Sequence, residues 1–179
     1  IDSGNIKMNK IADQQLKEIV DLIDSKNWKE AEDSLLKLKT DDSRIYFYLG
    51  HVYNAWDNPK KDEKKAKKYF SLAAEATIPV ENAFIRLSRI EDNRTHSIRI
   101  LRKGLHSFPK SEAIYYQLLS YTVLAEREEI YKEIIGRECV SERIITRMAT
   151  TYYELKEYEK AIKVLSGIEI TEEWDRNIL

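Results

Sequence analysis

The chain has 179 residues, 42% hydrophobic and 34% charged, with 30 basic side chains against 31 acidic ones for a formal charge of -1. That composition supports a core under a well-hydrated surface and excludes intrinsic disorder. Its near neutrality argues against a general binder of nucleic acid or of membrane surfaces. With five Gly, three Pro and no alternating β-branched runs joined by hairpin turns, the chain reads as all-α.

No apolar run reaches the roughly 18 to 20 residues that span a bilayer. Cys139 stands alone, which rules out an internal disulfide framework and fits a reducing compartment such as the cytoplasm. The sequence opens at Ile1 without an initiator Met, so residues 1–11 read as an extension or tag remnant.

From there the pattern is five successive pairs of amphipathic helices. A first unit, 12–42, pairs helices at about 12–25 and 28–39 around Ser25, Lys26 and Asn27. A second, 43–78, pairs 43–57 with 62–76; a third, 79–110, pairs 80–92 with 94–107. The fourth, 111–140, pairs 111–124 with 126–138, and the fifth, 141–170, pairs 141–154 with 157–167. Ser43, Ser111 and Ser141 are read as N-caps and Pro79 as a first-turn proline. The tail 171–179 reads as the start of a capping helix, with Thr171 as its N-cap.

The second unit shows the packing logic. Tyr46, Leu49, Gly50 and Tyr53 fall at i, i+3, i+4 and i+7, and Ala66, Tyr69, Phe70 and Ala73 repeat that spacing on the partner helix. Gly inside a helix costs roughly 1 kcal/mol relative to Ala, so Gly50 is expected to admit a close approach of the second helix, with Ala66 as the matching hollow.

These residues carry a resemblance. The stretch "YFYLGHVYNAW" followed by "KKAKKYFSLAAEA" resembles the tetratricopeptide repeat, and "MATTYYELKEYEKAIKVL" resembles it again, with Met148, Ala149, Tyr152, Tyr158 and Ala161 at signature places. The extra loop residues and the pair Ala73 and Ala74 in the second unit are similar to the Sel-like variant. Unit three has Ser97 where the signature Ala would stand, and unit four has Leu119 where a small residue would. The resemblance implies a right-handed superhelical solenoid of about five antiparallel helix pairs, used for protein binding. It also explains an echo across 130 residues: "IDSKNWKEAEDSL" and "YELKEYEKAIKVL" are the same turn and second helix in units one and five.

Nothing in the sequence signals catalysis, a cofactor or a metal. His51, His96 and His106 fall in different units without acidic or Cys partners at ligand spacing. Cys139 reads as a packing residue, and the sequon at Asn93 is of a kind that chance supplies. The run from Lys60 to Lys68 reads as the solvated face of a helix, with Lys65 and Lys68 on the outside. Unit three is the electrostatic anomaly, with Arg86, Arg89, Arg94, Arg99, Arg102, Lys103 and Lys110 against Glu81, Glu91 and Asp92.

A solenoid lines its inner wall with the first helix of each unit. The stripe beside the buried one predicts that wall: Arg44, Phe47, His51 and Asn54, then Asn82, Ile85, Arg86 and Arg89, then Ala113, Tyr116 and Ser120, then Arg143, Thr146, Thr150 and Tyr153. The expected binding residues are Arg44, Phe47, His51, Asn54, Arg86, Arg89, Tyr116, Arg143 and Tyr153. Unit one offers Leu16, Val20 and Ile23 instead, an apolar end expected to be covered by a partner or a second copy. No unit carries the Lys and Asn, one turn apart, with which tetratricopeptide domains clamp a chaperone's tail.

The expectation is therefore a non-catalytic scaffold whose concave groove takes a protein or peptide with acidic and aromatic residues. The alternatives are a ligand-sensing module of a larger regulator, and nucleic-acid binding through the arginines of unit three.

Overall fold

The computed structural model describes residues 12–38 and 40–166. The extension 1–11, the end of the fifth unit beyond Ser166 and the expected capping helix at 171–179 lie outside the described residues. Within them the chain forms ten α-helices and no strand. These are α1 (Asp13–Asp24), α2 (Trp28–Lys37), α3 (Ser43–Asn54), α4 (Glu63–Glu75), α5 (Glu81–Ile90), α6 (Arg94–Ser107), α7 (Glu112–Tyr121), α8 (Leu124–Gly136), α9 (Glu142–Glu154) and α10 (Tyr158–Ser166). The chain divides into two compact units, Ile1–Ile100 and Leu101–Leu179, with the border inside α6.

In the first unit each helix packs on its neighbour in sequence from α1 to α5. The core joins Ile19 and Ile23 of α1, Ala31 and Leu35 of α2, Leu49 and Val52 of α3, Ala66 and Phe70 of α4, and Leu87 of α5. Tyr53 is buried there too, and its hydroxyl donates to the carboxylate of Glu32, which is only 8% exposed and also receives Lys60 Nζ at 3.1 Å. The apolar residues of unit one contribute to this core. Ile23 is buried in it and Leu16 packs against it, while Val20 is half-buried.

Three local expectations are corrected. Asp42, not Ser43, caps α3, accepting from Arg44 N at 3.1 Å. The Ser43 hydroxyl instead donates to the Ile78 carbonyl at 2.6 Å, tying the start of α3 to the loop before α5. Pro79 is not in a first turn, because Val80 N–H still bonds back to Ala73 O at 3.0 Å and α5 opens at Glu81. The atoms nearest a Cβ at Gly50 would be those of Phe70 rather than Ala66, Cδ1 and Cε1 at 2.7 Å, so the glycine makes room for a buried ring. Of the predicted stripe, Leu49, Gly50 and Tyr53 are buried and Tyr46 is half-buried.

Ser97, where the resemblance expects alanine, finds acceptors for its hydroxyl. It is fully buried and donates to Ser88 O of α5 at 2.8 Å, so a small polar side chain is held in a tight contact without an unpaired group. Asn93 caps α6 by accepting from His96 N at 3.1 Å.

In the second unit α7 packs on α8, α8 on α9 and α9 on α10. Ser111 and Ser141 cap α7 and α9 as expected, accepting from Ile114 N at 3.0 Å and Ile144 N at 3.3 Å. Leu101, Ile114, Tyr115, Leu118, Leu119, Ile134 and Ile144 are completely shielded. Leu119 thus fills space where the repeat signature has a small residue. The Tyr115 hydroxyl donates to Glu133 at 2.9 Å, and Arg102 pairs with the same carboxylate.

The sequence echo has a backbone counterpart. After α1, Lys26 takes a left-handed conformation (φ 59°), with Lys26 N bonded to Ile23 O at 2.9 Å and Asn27 N to Leu22 O at 2.8 Å. After α9, Lys156 does the same (φ 61°), with Lys156 N to Tyr153 O at 2.9 Å and Glu157 N to Tyr152 O at 2.8 Å. Both are Schellman caps, which satisfy the last carbonyls of a helix and reverse the chain, here with lysine where glycine is usual.

Candidate functional site

The predicted wall residues fall into two groups, one in each compact unit. In the first unit, two of them are already engaged. Arg44 grips its neighbour Asp42, Nε to Oδ1 at 3.0 Å and Nη2 to Oδ2 at 2.7 Å, and reaches Asp13 at 3.5 Å. Phe47 is not clear of the inter-helix core, as its stripe position implied. It packs against that core, 5.8 Å from the Phe70 ring and 5.4 Å from Tyr48. Ile85 is buried as well.

What remains is His51 of α3 with Arg86 of α5, close enough for one charge to act on the other. His51 is half-buried, and burial, then the charge of Arg86, holds its pKa below the usual histidine range against the weaker pull of Asp24. Its imidazole is therefore neutral at pH 7. Arg86 is itself half-buried, and desolvation and Arg89 both work against its charge. Arg89 is exposed and Asn54 half-buried.

In the second unit the structure brings two predicted residues into contact. The Arg143 guanidinium lies over the Tyr116 ring, 3.5 Å from its centre, a cation–π contact. Arg147, not predicted, joins them at 5.3 Å. Arg143 first, and Arg147 with it, stabilise the phenolate and lower the Tyr116 pKa against partial burial. Tyr153 is instead edge-on to Tyr158 with ring centroids 5.6 Å apart, and both rings are exposed.

Arg127 of α8 was also missed. Its Nη1 donates to Thr151 Oγ1 at 3.1 Å, and Thr151 lies 2.7 Å from the Tyr131 hydroxyl, which also donates to Arg147 O at 3.1 Å. The signal that could have found Arg147 is its place one turn after Arg143.

Lys65 and Lys68 are exposed as expected, Lys65 resting 4.8 Å from the Tyr53 ring. A shallow pocket lined by Glu63, Lys64, Lys67, Glu91 and Asp92 carries both signs of charge and is bridged by Lys67 and Glu91 at 2.7 Å. The Cys139 thiol is half-buried, donates to Ile134 O at 3.4 Å, and has its pKa raised by burial, the reverse of an activated thiolate.

Among the described residues no group of three or more His, Cys, Asp or Glu side chains could hold a metal ion, and no helix is long and apolar enough to cross a membrane. Neither the protein-family models nor the curated proteins contain a match to this chain.

Proposed function

We propose that the chain is a non-catalytic interaction scaffold, built as a solenoid of about five tetratricopeptide-like hairpins, that binds a partner segment on the first helices of its repeats. The observation that carries this reading is the Arg143–Tyr116 contact at 3.5 Å. Arginine and tyrosine dominate interface energetics, and a guanidinium held over a ring, with five donors and no carboxylate partner among the described residues, has donors left for a partner's carboxylate or carbonyl. Arg86 and His51 supply a second cationic and aromatic position in the other compact unit. Nucleic-acid binding through unit three is less well supported, since Arg102 is committed to Glu133 and Lys110 to Glu138.

The test is selection of a random peptide library on the full chain, followed by titration of the recovered peptides against wild type and Tyr116→Ala. Loss of about tenfold or more in affinity with unchanged circular dichroism is expected. Recovery of no peptide, or of peptides indifferent to Tyr116→Ala, would remove the reading.

A further inference from the structure

Around α8 the second unit pairs most of its charges, three arginines excepted. Lys132 holds Glu129 at 2.7 Å, Arg137 reaches Glu133 at 3.5 Å, and Lys160 holds Glu157 at 2.6 Å and Glu128 at 3.4 Å. Arg127, Arg143 and Arg147 have no carboxylate within ion-pair distance among the described residues. Among the described residues these three guanidiniums are thus left without an acidic partner.

They also share a line. Arg143, Arg147 and Thr151 stand at i, i+4 and i+8 on α9, covering about 12 Å of one helix face, and Arg127 joins the far end through Thr151. The side chains are held in place by neutral groups: Arg143 and Arg147 by the Tyr116 ring, Arg127 by the Thr151 hydroxyl. The Nε atoms of Arg127 and Arg147 are buried and lack an acceptor. Guanidiniums held against a ring or a hydroxyl, and without an acid among the described residues, lose little side-chain freedom when an anion arrives.

We infer that Arg127, Arg143 and Arg147 form a cationic ladder that docks a protein segment presenting carboxylates one helical turn apart. The spacing is the argument, since glutamates at i and i+4 of a partner helix stand about 6 Å apart, as do the arginines. A protein segment is favoured over a nucleic acid by the far end of the stripe. Glu154 stands one turn beyond Thr151 near the same face, so a phosphate backbone extending past the ladder there meets like charge, whereas a short acidic patch does not. The inference rests on the interaction-scaffold reading and names the chemistry of its partner.

The test uses the full chain and four labelled probes. These are an alanine-based helical peptide with glutamates at four-residue spacing, its glutamine counterpart, a peptide with the same glutamates clustered at one end, and an oligothymidylate. The spaced glutamate peptide should bind at least about tenfold more tightly than the glutamine one, and Arg147→Glu should remove at least that factor. Lys163→Glu, at an exposed site on α10, should change affinity by less than about twofold. Arg143→Glu repeats the test at an exposed position should Arg147→Glu impair folding. Equal binding of the glutamine peptide, equal binding of the clustered one, or tighter binding of the oligothymidylate overturns the inference. Library peptides that depend on Tyr116 but carry no excess of acid overturn it too, while leaving the scaffold reading intact.

Discussion

Replacing Gly50 by alanine sets two effects of opposite sign against each other. Alanine in a helix interior gains roughly 1 kcal/mol over glycine. The added Cβ, however, would sit 2.7 Å from two atoms of the Phe70 ring and 2.9 Å from a third, where ordinary contact begins at 3.4 Å. The ring would have to retreat by about 0.7 Å. It has nowhere simple to go, because Phe70 is fully buried with Phe47 on one side. Overpacking of that kind costs on the order of 1 to 3 kcal/mol, so the net expectation is destabilisation by about 1 kcal/mol, and more for Gly50→Leu. Thermal and urea denaturation followed by circular dichroism would read it, as a fall of about 2 to 4 °C for each kcal/mol in a chain of this size. The double variant Gly50→Ala, Phe70→Leu should recover part of the loss, since the smaller side chain vacates the contested space. A single Gly50→Ala variant that melts higher than wild type would show that the ring yields freely and that the close approach of α3 and α4 is not what glycine serves.

Three further outcomes are expected. Phe47→Ala should cost about 1 to 3 kcal/mol in urea denaturation, in keeping with a ring half-buried against the core. The Glu32 carboxyl, held below the usual range chiefly by Tyr53 and then by Lys60, contributes stability that is complete above the unfolded glutamate range near pH 4.3 and is lost as pH falls through the lower folded value. Glu32→Gln should therefore cost about 1 to 2 kcal/mol at pH 7, with the gap to wild type closing in acid. Lys156→Gly should stabilise by up to about 1 kcal/mol by relieving a left-handed lysine, and Lys26→Gly by less, because Lys26 also pairs with Asp57 at 2.7 Å and lies 5.5 Å from the Trp56 ring.

Helix existence and order were legible in the sequence because a 3.6-residue apolar rhythm, broken by polar turns, leaves few alternatives, and the expected helices match within about three residues at each end. Details that depend on partners distant in sequence were not. Asp42 and Ser43 are equally suited to cap a helix, and only the bond from Ser43 to Ile78 decides between them. Phe47 was misplaced because α3 packs on both α2 and α4, so the stripe beside the first buried one is itself partly covered. In the candidate site, the step from Arg143 was followed through Thr146 and Thr150, at i+3 and i+7. The alternative step of four leads to Arg147 and Thr151, the face that α7 and α8 meet. Arg127 sits on a second helix and carries no periodic signal for that face.

The packing of neighbour on neighbour, α1 through α5 and again α7 through α10, has a kinetic meaning. When the main helix contacts join segments adjacent in sequence, little loop entropy must be lost before a contact forms, and the relative contact order is low. Chains of that kind reach the native state in microseconds to milliseconds, and each hairpin can gather its own turn and its own pair of helices before the next is available. The Schellman caps at Lys26 and Lys156 close their hairpins with bonds spanning only a few residues. During synthesis on the ribosome, the α1–α2 hairpin can therefore begin to condense while the C-terminal helices are still being made.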